Sequence, residues 1–357
     1  MHTLIHKKPL LLTLLLLLLC IACNNKDKRA ETDQAKNRFD NLLEYIVEEK
    51  DYINSTAVPY FIFAPEVYNH LDSNYLIIDL RDTAEYEQRH IANSVNIPLS
   101  GLLDYMENRI HPPAFEKIVL VCNMGAVSIM GAMGLKYLGY DNVYPLKNGL
   151  SSWSEAIAND YWEKHTSNEF LHTLETTPNA KDQAGPYPVI ESKHDKGYDI
   201  LRERIDSVFA GDYTDYFVYL EDVKQAPDSW YLITYWPDSR YESGHFPGGI
   251  QYKPRHSLHP EKYLNTLPAD KPIVVQCYSG NHSAFVSFFL RVLGYDARSF
   301  NYGANAFMHK TLKEEEDKAG RHFTLEKDVF NYPMEGDATK KTTDTSSLLQ
   351  NNNETPQ

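Results

Sequence analysis

The chain has 357 residues, enough for two ordinary domains, and 42% of them are apolar, enough to fill two cores. Its 49 acidic and 35 basic residues leave a formal charge of −14. That balance argues against a nucleic-acid groove or an anionic membrane surface as partner.

The first segment is not part of a fold. His6, Lys7 and Lys8 make a positive start, and residues 9–22 are almost wholly apolar. The run is shorter than the ~20 residues of a spanning helix, so residues 1–22 read as a signal peptide. It ends on "CIAC" and is followed by Asn24, Asn25 and Lys26. Ala22 before Cys23 resembles a bacterial lipobox, with Cys20 where such motifs usually carry leucine. The expectation is an exported, lipid-anchored protein of the bacterial cell envelope, acylated at Cys23, on the periplasmic side or at the outer membrane. A plain secretory signal is the alternative. Contact with the membrane would be through the anchor only.

A polar tether, residues 23–36, leads to a helix beginning "NRFDNLLEYI" at Asn37. Strands follow at Tyr75–Arg81 ("YLIIDLR") and Ile118–Cys122 ("IVLVC"), β-branched runs suited to burial on both faces. Between them "SGLLDYMENRI" reads as a helix. After them comes "SIMGAMGLKYLG", a helix stopped by Gly139 as a left-handed cap. "VYPLK" is a further strand and "GLSSWSEAI" a further helix. A connection over residues 161–196, with Pro178, Gly185, Pro186 and Pro188, joins this first domain (37–160) to a second (197–334). Residues 335–357 lack an apolar period and read as a disordered tail.

The second domain repeats the first. His90 and His245, Cys122 and Cys277, Gly125 and Gly280, and Ser128 and Ser283 all stand 155 positions apart. The same offset carries "LGYD" at Leu138–Asp141 onto "LGYD" at Leu293–Asp296. Strand–helix alternation predicts an α/β fold, in which ligands bind beyond the carboxyl ends of the strands. Cys122 and Cys277 stand at such ends. An exported protein normally pairs its cysteines; two thiols in equivalent places of two repeats suggest chemistry instead.

In "QCYSGNHSAF" a strand ends at Cys277, a tight loop follows, and Ser283 starts a helix. Gly280 lets the backbone turn inward, so that N–H groups converge on the sulfur, and the helix adds its positive end. Both effects favour a thiolate, or a persulfide built on it. "VCNMGAVSIM" repeats the layout at Cys122 with a more apolar loop. There a second nucleophile and a buried structural thiol both remain open.

These residues resemble the rhodanese-like sulfurtransferases. "DLRDTAEYEQRHIANSVNIP" (Asp79–Pro98) is similar to the family's Asp-x-Arg, Glu-Tyr and His-Ile segment. "NGLSSW" (Asn148–Trp153) is similar to its closing Gly…Trp element, and "CYSGNHS" to its active-site loop. The resemblance implies two tandem rhodanese-like domains, each an open, mostly parallel sheet flanked by helices. It implies Cys277, and Cys122 if active, as nucleophile. The substrate-contacting loops would be Tyr278, Ser279, Gly280, Asn281, His282 and Ser283, and Asn123, Met124, Gly125, Ala126, Val127 and Ser128.

The implied reaction moves a sulfane sulfur from a small anionic donor (thiosulfate, a persulfide or a mercaptoacid) to a thiol-type acceptor. No metal and no organic cofactor is implied. A non-catalytic binding, carrier or sensing module on the same fold is the rival reading. Arg81 is expected to pair with Glu85, and His90 and His245 to be structural. Serine at the sixth position after each cysteine, where phosphatase-like relatives carry arginine, argues against phosphate chemistry.

Overall fold

The computed structural model describes residues 34–55, 61–315 and 322–336. Residues 1–22, read from sequence as a signal peptide, Cys23 and the chain after Gly336 lie outside the described residues. β1 (Tyr75–Asp79), β2 (Val95–Asn96), β3 (Lys117–Val121) and β4 (Val143–Pro145) form a parallel sheet in the order β2-β1-β3-β4. β5 (Phe217–Val218), β6 (Tyr231–Thr234), β7 (Ile250–Gln251), β8 (Ile273–Gln276) and β9 (Ala297–Phe300) form a second, in the order β5-β9-β8-β6-β7. All their pairings are parallel. The two orders match strand for strand. Ile62, bridged in parallel to Leu146, holds in the first sheet the place that β5 fills in the second. The fold is therefore α/β, two tandem units each built on an open parallel sheet.

In the first repeat the helices are α1 (residues 34–49), α2 (Ala64–Asn69), α3 (Thr83–Gln88), α4 (Leu99–Asp104), α5 (Ala126–Tyr137) and α6 (Glu155–Tyr161). In the second they are α7 (Gly197–Ala210), α8 (Leu220–Gln225), α9 (Asp238–Glu242), α10 (Asn281–Val292), α11 (Asn305–Glu315) and α12 (Leu325–Asp328). The helix expected over "GLSSWSEAI" is broken. Residues Gly149–Ser152 form a single 3₁₀ turn, and Ser154 is extended before α6. The break falls at Ser154, while the amides of Leu150 and Ser151 donate to the carbonyls of Cys122 and Asn123 (2.8 and 2.9 Å) and tie the turn to the cysteine loop. "SGLLDYMENRI" likewise divides, into α4 and a π-helical turn at Tyr105–Arg109.

The two repeats share one core. α5 and α10 pack against each other. Ile129 and Met133 of α5, Phe285 and Phe289 of α10, and Ile205 and Phe209 of α7 are buried in a single apolar cluster with Phe39 and Ile46 of α1. α7 lies against α4 and α5 of the first repeat as well as α10 of its own.

Beyond α6 the chain crosses over. Trp162 stacks on Phe323 (4.6 Å) and meets Tyr302 edge-on (5.3 Å). The Phe170 amide donates to the Phe307 carbonyl (3.2 Å), and Glu175 pairs antiparallel with His245. The segment following α12 makes the mirror-image journey. The Phe330 amide donates to the Ser152 carbonyl (3.0 Å), Trp153 Nε1 donates to the Pro333 carbonyl (3.0 Å), and Glu335 pairs antiparallel with His90. Each repeat thus lays its exit segment on the other. Residues 329–336, read from sequence as the end of the second domain and start of the tail, lie on the first.

Candidate active site

Cys122 and Cys277 each stand one residue past the central strand of their sheet, β3 and β8. Both are free thiols. Gly125 and Gly280 cap the following helices in left-handed conformations (φ 97° and 90°), the turn that brings the loop amides round toward the sulfur. Cys122 Sγ accepts from the amides of Gly125 (3.1 Å) and Ser128 (3.4 Å). Cys277 Sγ accepts from the Ser283 amide (3.3 Å). In both loops the serine hydroxyl is turned back onto its own loop, donating to the carbonyl of Gly125 (2.8 Å) or Gly280 (2.9 Å).

The turn after each last strand, 3₁₀ at Gly149–Ser152 in the first repeat, braces the loop from behind. Leu150 and Ala304 donate to the carbonyls of Cys122 (2.8 Å) and Cys277 (2.9 Å). Asn305 Nδ2 donates to the Tyr278 carbonyl (2.8 Å), and Ser151 Oγ to that of Asn123 (2.8 Å).

The cavities above the two sulfurs differ in size and charge. Cys277 lies in one of about 530 Å³, with Tyr278, Ser279, Asn281 and His282 of its loop on the wall. Lys253, Arg255 and His322 of the second repeat line it too, and Lys147 reaches it from the first. Tyr235 closes one side; burial pushes its hydroxyl up to about 12, against the pull of the Arg255 amide. Gly280 and Ser283 serve the sulfur from below and are not on the cavity wall. Lys147, Lys253, Arg255 and His322 were missed in the sequence. They come from segments remote from the loop, and no spacing relates them to Cys277.

The Cys122 cavity holds about 180 Å³ and is lined by Asn123, Met124, Ala126 and Val127 of the loop, with Glu85 and three tyrosines. Gly125 and Ser128 again lie on the sulfur's side. Of the two readings left open for Cys122, burial leans toward the structural thiol. Burial pushes the Cys122 thiol above its ordinary value and outweighs the amides of Ser128, Gly125 and Met124. The expected Arg81–Glu85 pair does not form. Arg81 donates to both oxygens of Asp79 (2.7–3.1 Å) and to the Arg89 carbonyl (2.7 Å), because Asp79 points from the same strand end. In the second repeat Arg240 lies over Trp236 (5.2 Å), a cation–π contact between the two changed positions. His90 and His245 stack on Tyr86 and Tyr241 (3.9 and 3.7 Å) with Nδ1 at the tyrosine carbonyl (2.7 and 2.9 Å), a structural arrangement in each case.

Among the described residues, no group of three His, Cys, Asp or Glu side chains could hold a metal ion, and no helix is long and apolar enough to cross a membrane.

The model of the rhodanese-like domain matches residues 63–156 and 219–310, more than half of the chain. The chain belongs to the rhodanese-like family. Among curated proteins it is similar to the thiosulfate sulfurtransferase GlpE of Coxiella burnetii, 37% identical over 79 residues that make up 22% of this chain and 70% of that protein. It is also similar to the adenylyltransferase and sulfurtransferase uba4 of Ogataea parapolymorpha, 33% identical over 81 residues, 23% of this chain and 20% of that one. A third relative, the putative sulfur carrier protein YrkF of Bacillus subtilis, is 31% identical over 83 residues, 23% of this chain and 43% of that protein. The chain therefore spans less than half the length of two of these relatives.

Among solved structures, a thiosulfate sulfurtransferase from Pseudomonas aeruginosa is 19% identical, covering 77% of this rhodanese-like chain and 47% of that one at a TM-score of 0.28. A rhodanese-related protein from Thermoplasma volcanium is 28% identical, covering 27% and 90% at a TM-score of 0.23. Scores of this size add nothing to the family match. Family membership and the sulfurtransferases among the relatives support sulfur transfer in general terms.

Proposed function

We propose that this rhodanese-like pair is a sulfurtransferase whose working thiol is Cys277. One observation carries the reading: a strand-end sulfur, held by a loop amide, at the floor of a cavity whose wall presents Lys147, Lys253 and Arg255. Lys253 is paired with Asp238 (2.6 Å), so Lys147 and Arg255 are the cations that suit a small anionic donor. The Cys277 thiolate attacks the outer sulfur of the donor; with thiosulfate, the S–S bond to the sulfonate sulfur breaks and sulfite leaves with its electron pair. The enzyme is then a persulfide anion, stabilised by the loop and the start of α10. A thiol-type acceptor or cyanide takes the outer sulfur and restores the thiolate. None of these steps requires a metal or an organic cofactor.

The test is thiosulfate:cyanide turnover in the wild type, Cys277→Ser and Cys122→Ser. Cys277→Ser is expected to abolish turnover and the gain of one sulfur atom on the Cys277 peptide. Cys122→Ser is expected to keep most of both. Equal losses, or the reverse, would sink the assignment. The burial of both thiols favours a second reading, a carrier that holds sulfane sulfur without turning over. A wild type that forms the Cys277 persulfide yet releases no thiocyanate would establish it. Either activity is proposed to work in the cell envelope from a lipid anchor at Cys23, a reading supported by the apolar run that ends at Ala22.

A further inference from the structure

The Cys122 cavity is built for a different charge from its counterpart. The one carboxylate among its described lining residues, Glu85, accepts at Oε1 from Asn123 Nδ2 (2.8 Å) and Tyr161 Oη (2.5 Å). No described basic side chain forms a salt bridge with Glu85. Arg81 lines the same wall but is held by Asp79. Arg89 and Lys164 share the single carboxylate of Asp160 (3.8 and 2.8 Å) in the adjoining cleft and do not line this cavity. Counting Asp79 with Arg81, one negative charge remains on the wall.

The rest of the lining reinforces that sign. Tyr161 comes from the first repeat, and Tyr213 and Tyr219 from the second. Aromatic faces attract cations and do nothing for anions. Burial and the nearby Glu85 both push the Tyr161 and Tyr213 hydroxyls up, and burial pushes the Cys122 thiol up, so these groups stay neutral near pH 7.

We propose that the Cys122 cavity is a second ligand site, selective for a small organic cation, with the ammonium head between Glu85 and the tyrosines. At about 180 Å³ it falls below the ~300 Å³ of ordinary drug-sized pockets, which limits the ligand to a compact one. The site is completed across the repeat boundary, since Tyr213 and Tyr219 belong to the second repeat. It stands independently of whether Cys277 turns over.

The experiment uses the full chain carrying Cys277→Ser, so that the first cavity cannot react. Labelling of Cys122 by the neutral reagent N-ethylmaleimide is followed by peptide mass spectrometry. Tetramethylammonium chloride is the probe, with sodium chloride and sodium acetate at matched ionic strength as controls. Tetramethylammonium is expected to slow the labelling several-fold in a saturable way, while both sodium salts leave it unchanged. Glu85→Gln is expected to remove that protection. Tyr213→Leu, which breaks no described hydrogen bond, is expected to weaken it and serves as the readout if Glu85→Gln does not fold. Labelling indifferent to tetramethylammonium, equal protection by acetate, or full protection in a folded Glu85→Gln or Tyr213→Leu protein would each overturn the proposal.

Discussion

Cys122 shows how little a loop sequence fixes about the charge on its sulfur. Cys122 has the fuller cradle, two amides within 3.4 Å, yet burial still drives its thiol upward. An acid whose folded pKa is raised favours the fold while it stays protonated. Its contribution is therefore complete below the unfolded pKa and is lost as pH climbs through the folded one. Iodoacetamide alkylation of Cys122 in the folded protein should accordingly be slow at pH 7 and rise only above the ~8.5 of a free thiol. Peptide-resolved rates from pH 6 to 10 check this, and a midpoint below that of free cysteine would contradict it. The loop and its glycine were legible in the sequence. The balance between amides and desolvation was not, because it depends on what the rest of the chain stacks over the sulfur.

At the scale of the elements, the turn behind each cysteine explains why the closing glycine is needed. A Cβ on Gly303 (φ 52°) would overlap the Cys277 carbonyl oxygen and stand 2.8 Å from the Tyr278 carbonyl carbon. Gly139 also has positive φ (93°), but a Cβ there would meet nothing within 4 Å. The pair separates backbone strain from collision. Gly139→Ala should cost about 1 kcal/mol, the left-handed penalty alone. Gly303→Ala should cost roughly 3 kcal/mol or more and displace the Cys277 loop, with loss of turnover. Urea denaturation of the two variants decides the point; equal costs would mean that the brace can give way. In the first repeat the sequence reading ran this turn, Gly149–Ser152, together with α6 as one helix. Amides committed to a neighbouring loop leave no mark on the pattern.

In the whole molecule, each cysteine site is finished by the other repeat. Lys147 sits on the first repeat's wall of the Cys277 cavity, and Tyr213 and Tyr219 on the second repeat's wall of the Cys122 cavity. Lys147→Ala should therefore raise the donor KM of the Cys277 reaction roughly tenfold, the worth of a charge-assisted contact of about 1.5 kcal/mol, with kcat little changed. Steady-state kinetics with thiosulfate checks it, and an unchanged KM would confine the donor to the second repeat. Anchoring is a separate matter. Cys23→Ser should abolish acyl labelling and move the protein from the membrane fraction to a soluble exported form; a wild type already soluble would end that reading. The sequence by itself determined the duplication, the parallel α/β sheets, the cysteine loops at the strand ends and the family, because each rests on local patterning repeated at one offset. Only the tertiary structure decided the shared core of α5, α7 and α10, the exchanged exit segments, the Arg81–Asp79 pairing and which charged side chains line each cavity. Those features depend on residues far apart in the chain meeting across a boundary. Burial and charge there are sums over both repeats, and no single stretch of either carries them.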